Sequence, residues 1–143
     1  MRAGLILLVA ILLWPGAAGA QEAALPAQDV AAIQTVITQQ LDAFNRGDAP
    51  GAYAFASDGI KAIFPSAAIF MQMVREGSPA VYRSREAEFL DVRFLQGQLW
   101  TQEALIVGAD GTVMQALYTM ERQPNGTWKI AGCTLRPAAD RTA

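Results

Sequence analysis

The sequence predicts an α+β fold, with N-terminal helices packed on a curved four-stranded antiparallel sheet. Three observations predict it. Apolar residues recur at helical spacing as far as Gly77. From Val81 onward the apolar period falls to two. The turn signals QGQ, GADG and PNG then cut the rest of the chain into strand-length pieces.

The elements follow in order. Residues 1–20, MRAGLILLVAILLWPGAAGA, have Arg2, an unbroken apolar run from Leu5 to Trp14, a Pro-Gly break and the small residues Ala18-Gly19-Ala20. That is the layout of a secretory signal peptide, with cleavage expected after Ala20. The run is about ten residues, where a membrane-spanning helix needs about 20. The chain is therefore expected in the periplasm or secreted, with no membrane attachment after cleavage. Residues 21–28 read as a flexible leader and 138–143 as a flexible tail. Residues 29–137 are expected to form one domain, since the roughly 120 residues left after cleavage suit a single core.

Within that domain Asp29 reads as the N-cap of a helix. Ile33, Val36, Ile37, Leu41 and Phe44 share one face, and Gly47 stops it. Asp48 caps a shorter helix through Tyr53 and Phe55. Pro65-Ser66 opens a third, with Ile69, Phe70, Met73 and Val74 inward. Strands are predicted over about 82–95, 99–107, 112–122 and 127–135, and Asn125-Gly126 is a strong hairpin signal.

Loops of two or four residues keep paired side chains on one face. With such loops throughout, the helix-facing side carries Leu90, Leu105, Met114, Ala116, Tyr118, Met120, Cys133 and Leu135. The same register puts Glu88, Glu103 and Thr101 on that side, with Tyr82 at its mouth. Two carboxylates diagonal to each other on an apolar face would interact, and one would titrate high. Glu88, Glu103, Tyr118, Tyr82 and Thr101 are therefore the pocket candidates. The bland alternatives are a bulge that turns one glutamate outward, or a salt bridge to a helix residue. On the opposite face Trp100, Leu117, Trp128 and Ile130 make more apolar surface than a solvated sheet usually exposes. They are the candidates for a homodimer interface.

Composition excludes much chemistry. The chain has no histidine and one cysteine. Histidine-based nucleophile systems and ordinary zinc, copper or iron sites are therefore not expected. No phosphate loop occurs, so no metal and no cofactor are predicted. After cleavage at Ala20, ten basic and thirteen acidic residues remain. That balance, without a basic patch, gives nucleic acid no footprint. Cys133, in the alternating stretch KIAGCTL, reads as a buried small hydrophobe.

The segments IQTVITQQLDAFNRGDAPGAYAFAS, FMQMVREGSPAVYRSREAEFLDV and ALYTMERQPNGTWKIAGC together resemble the bacterial "domain of unknown function 4864" family. The combination of AFASDGIKAIF, PAVYR and WKIAGC carries the likeness over about residues 29–135. That family looks like a member of the nuclear-transport-factor-2-like (NTF2-like), cystatin-like superfamily. The resemblance implies a cone with an interior pocket and frequent pairing through the outer sheet face. It transfers no catalytic residue, because the family has no established activity.

Three functions fit this reading. The first is an exported domain that binds a small apolar ligand or acts as a scaffold. The second is a small lyase or isomerase that uses Glu88 or Glu103 with Tyr118 or Tyr82 on a hydrophobic substrate. The third is a protein-interaction module working through the Trp100/Trp128 face.

Overall fold

A computed structural model describes residues 24–138. The predicted signal peptide and most of the tail lie outside the described residues. Five helices precede four strands: α1 Ala27–Asn45, α2 Ala49–Ala54, α3 Asp58–Ile63, α4 Ala67–Gly77, α5 Pro79–Tyr82, β1 Ser84–Gln96, β2 Leu99–Gly108, β3 Val113–Arg122 and β4 Trp128–Pro137. The sheet is an antiparallel meander in the order β1-β2-β3-β4. The predicted α+β class and strand order hold. No helix among the described residues is long and apolar enough to cross a membrane.

Helix α1 starts two residues before Asp29. Pro26 is its N-cap, and the Pro26 carbonyl accepts from the N–H groups of Asp29 and Val30. Asp29 sits in the first turn, where its charge suits the helix dipole. Its carboxylate accepts from Trp128 Nε1 at 3.3 Å and pairs with Arg122 at 3.3 Å. These contacts pin the start of α1 to the β3–β4 end of the sheet. Ile33, Ile37, Leu41 and Phe44 are buried as the spacing predicts. Each contributes roughly 1.5–3 kcal/mol of transfer energy.

Two helices were not foreseen. Ser57 caps α3 by accepting from Ile60 N–H, and α3 buries none of its own residues. Pro79 opens α5, which places Tyr82 on a helix rather than at the start of a strand.

The face assignment needs correction, and the cause lies in the turns. The β2–β3 loop closes with Gly108 N–H on the Thr112 carbonyl, leaving three residues in the turn. Gly111 takes φ +84° there, a conformation open to glycine. The Asp110 carboxylate accepts from the Thr112 N–H and hydroxyl, which lowers its pKa and fixes the turn. An odd loop inverts the parity that a four-residue loop would set. The pairs are therefore Gln102 with Tyr118, Ala104 with Ala116 and Ile106 with Met114. Trp100, Gln102, Ala104 and Ile106 face the helices, and Leu105 and Val107 face away.

The β3–β4 turn is also odd, with Gln123 N–H on the Thr127 carbonyl and Gly126 at φ +84°. A register shift after Met120/Ile130 then inserts Ala131. Through that bulge Trp128, Ile130, Cys133 and Leu135 all point inward. A second shift, between Phe89/Ala104 and Val92/Gln102, does the same for β1. Ala87 and Phe89 pack on the core. Glu88 pairs with Leu105 on the outer face.

Candidate functional site

The interior between helices and sheet closes around Tyr118. Tyr118 stands mid-strand in β3, flanked by Gln102 and Cys133 on the neighbouring strands, and is 0% exposed. Beside it lies a cavity of about 80 Å³. Helix α1 supplies Gln40 and Phe44 to its wall, and α4 supplies Phe70, Met73 and Val74. Ser78, Val81 of α5, and Ile130 and Cys133 of β4 add to it. Phe44 and Phe70 lie 5.9 Å apart, and Phe70 also meets Tyr53 and Phe64, so an aromatic cluster backs one side.

The Tyr118 hydroxyl has no hydrogen-bond partner among the described residues. The Cys133 thiol stands beside it and couples to its titration. Burial raises the Tyr118 pKa well above the usual phenol value, with the neighbouring thiol adding to it. Burial also pushes Cys133 up to about 12, and the Tyr118 hydroxyl opposes that only in part. Both groups therefore keep their protons at neutral pH. Gln40 Nε2 donates to the Ala52 carbonyl at 3.1 Å, which ties α1 to α2.

Of the five pocket candidates only Tyr118 reaches this cavity. Glu88 is exposed on the outer face. Glu103 is half-buried on that same face, where it accepts from Gln115 Nε2. Gln115 Oε1 in turn accepts from Arg136 at 2.7 Å. Thr101 is on the outer face and donates to the Arg93 carbonyl at 3.4 Å. Tyr82 lies 6.5 Å from the Phe44 ring, and the Arg83 guanidinium stacks on it at 4.6 Å.

The interface candidates divide as well. Trp128 and Ile130 are core residues, 3% and 5% exposed. Trp100 is half-buried on the helix-facing side, edge-on to Phe94. Leu117 alone stands on the outer face, 45% exposed.

Gln40 is a cavity residue that sequence reasoning passed over. Its signal was present, since it falls on the inward stripe with Ile33, Ile37 and Phe44. Wider surface depressions, of about 540 Å³ near Phe94 and about 580 Å³ on the outer face, hold no buried side-chain polar atom without a partner among the described residues.

A family model described as "Domain of unknown function (DUF4864)" matches residues 26–143. The chain belongs to the DUF4864 family. No curated protein matches it. Among solved structures, a crystal structure from Streptomyces avermitilis is similar, that of a candidate dehydratase of the NTF2-like family. The identity is 18%, over 80% of this chain and 99% of that one, with a TM-score of 0.46. A likeness that distant carries nothing about a reaction.

The chemistry of this DUF4864 cavity therefore rests on its own lining. No carboxylate, ammonium or guanidinium lines it among the described residues. A general base poised near neutrality is not among its side chains. The wall is mostly apolar, and the Tyr118 phenol, the Ser78 hydroxyl and the Gln40 amide are its hydrogen-bonding side chains.

Proposed function

We propose that this DUF4864 chain is an exported domain that binds a small ligand in the cavity between its helices and its sheet. One observation carries the reading: a fully buried tyrosine hydroxyl that no protein group satisfies beside a cavity with mostly apolar walls. Leaving such a group unpaired costs about 1–3 kcal/mol, so its retention favours a role in recognition. Export is supported by the three-part layout of residues 1–20. The lyase or isomerase reading draws no support, because Glu88 and Glu103 stand on the other face of the sheet.

Native mass spectrometry of the purified protein tests the binding reading. The expected result is a bound small-molecule mass that disappears in Val74→Phe, which fills the cavity from α4. An unliganded mass together with no response to any added small molecule would overturn it.

A second reading concerns the outer sheet face as a contact for another copy of the chain. Leu117 and Val113 there are 45% and 40% exposed. Leu105 and Val107 extend the same surface. Exposed apolar side chains on this face, interleaved with Gln115 and Glu103, favour a contact with another copy.

A further inference from the structure

We infer that the cavity selects a compact, uncharged head group bearing one hydrogen-bond acceptor oxygen, such as a ketone or lactone carbonyl, which accepts from the Tyr118 hydroxyl. The inference rests on the binding reading above and narrows it to a ligand class.

Polarity sets the acceptor requirement. Tyr118 is fully buried and has no partner among the described residues, so its O–H is free to be shared. A phenol held in its protonated form offers a proton, and the complementary ligand atom is an acceptor. The Cys133 thiol beside the hydroxyl is a weak acceptor that a ligand oxygen can outcompete. Gln40 donates one of its two Nε2 protons to the Ala52 carbonyl. Ser78 and Gln40 are the other hydrogen-bonding side chains of the wall, and Tyr118 is the fully buried one whose polar atom lacks a partner among the described residues.

Charge is excluded by the wall. Phe44, Phe70, Val74, Val81 and Ile130 are buried apolar residues around the site, and no ionised side chain among the described residues lines it. A carboxylate or ammonium placed there would lose its hydration with no countercharge to replace it.

Size is set by the volume. About 80 Å³ is well below the roughly 300–1,000 Å³ of pockets for drug-sized ligands. It compares with about 30 Å³ for each water in the liquid. A small ring carbonyl, or the carbonyl-bearing end of a longer molecule, matches that scale.

The test is an NMR titration of the protein with three probes of one shape: cyclopentanone, methylenecyclopentane and cyclopentylammonium. The amide signals of Val74, Gly132 and Cys133 report on the cavity. Cyclopentanone is expected to shift them saturably and to bind about fivefold more tightly than methylenecyclopentane, the gain of one hydrogen bond. In Tyr118→Phe that advantage should vanish while methylenecyclopentane binding persists, which shows the cavity intact. Equal binding of the two neutral probes to the unmodified protein would overturn the acceptor requirement and leave the binding reading standing. Cyclopentylammonium binding as tightly as the ketone would overturn the exclusion of charge. No saturable response to any probe would overturn the binding reading itself.

Discussion

The side-chain amide of Gln102 donates to the main-chain carbonyl of Leu90 at 3.2 Å, inside the β1 bulge. The same nitrogen donates to the Glu103 carbonyl at 2.7 Å, and Gln102 Oε1 accepts from Gln34 of α1 at 3.3 Å. A bulge takes ladder groups out of pairing, and buried carbonyls need a donor. Gln102 is 0% exposed and supplies that donor. One buried amide thus links β1, β2 and α1, and allows β1 to change parity without leaving the sheet.

Gln102→Leu should therefore destabilise the fold by about 1–3 kcal/mol despite its apolar surroundings, because the carbonyls it served lose their donor. Gln102→Glu should cost more, since a carboxylate would face carbonyl oxygens in a buried site. Urea denaturation at neutral pH measures both. A leucine variant as stable as the parent would show that the bulge does not depend on this amide.

The bulges also explain which parts of the molecule the sequence reveals. Helix α1 was legible because its inward residues, from Ile33 to Phe44, repeat at one period over about three turns and nothing interrupts them. The strand limits were legible because glycine-bearing turns bound them. The face of each strand was not, because it depends on the parity of every turn and bulge before it. Alternation in β2 is nearly balanced, with Leu105 and Val107 on one side and Ala104 and Ile106 on the other. Local pattern could not choose between them, and the three-residue turn at Gly111 decided it. Glu88 and Glu103 were correctly placed on one face together, but on the wrong one. Tyr118 was placed inward correctly because every alternate residue around it, from Met114 to Met120, is apolar or small. Helix α3 buries nothing, so it left no apolar stripe to read.

Arg83 illustrates the same limit and gives a second prediction. As a strand residue it would be solvated, but at the end of α5 it reaches back to the end of α1. Its guanidinium donates to the carbonyls of Phe44 at 3.2 Å and Asn45 at 2.8 Å. No basic residue lies in the last turn of α1, so Arg83 supplies both the cap and the positive charge that the dipole favours. Arg83→Met should cost about 1 kcal/mol and speed amide exchange in the last turn of α1. Arg83→Lys should recover part of the loss. Unchanged exchange over Asp42–Asn45 in the methionine variant would contradict the capping role.

Cys133 sets an alkaline limit on stability. Its folded pKa is raised by burial to about 12, from an ordinary value of 9.0. The stabilisation is complete below the ordinary value, where both folded and unfolded chains hold the proton. It is lost as pH rises through the folded value, because the unfolded chain ionises first. Stability should fall above about pH 9 by at most about 1.4 kcal/mol per pH unit for this one proton. Tyr118, raised in the same direction, extends the decline at higher pH. Urea midpoints of Cys133→Ala should fall less steeply than those of the parent between about pH 9 and 10, and the two profiles should run parallel below about pH 8. Equal slopes in the alkaline range would mean that the thiol ionises in place.

The outer face yields the last prediction. Trp128 and Ile130 are committed to the core, so any self-association through the sheet must use Leu117, Val113, Leu105 and Val107. Leu117 is the most exposed residue on β3 among them, at one end of the group, opposite Glu103 on β2 and Thr134 on β4. Leu117→Glu would set a carboxylate directly across from Glu103, and like charges in a cross-strand pair repel. Within one chain that cost is a few tenths of a kcal/mol at an exposed site, up to about 1 kcal/mol. At a dimer contact it would also bury charge against apolar surface and drive the copies apart. Sedimentation at micromolar concentration should therefore find a dimer of the parent chain and a monomer of Leu117→Glu with nearly the same unfolding midpoint. A parent that sediments as a monomer throughout would remove the self-association reading and leave the interior cavity untouched, because the two faces of the sheet share no side chain.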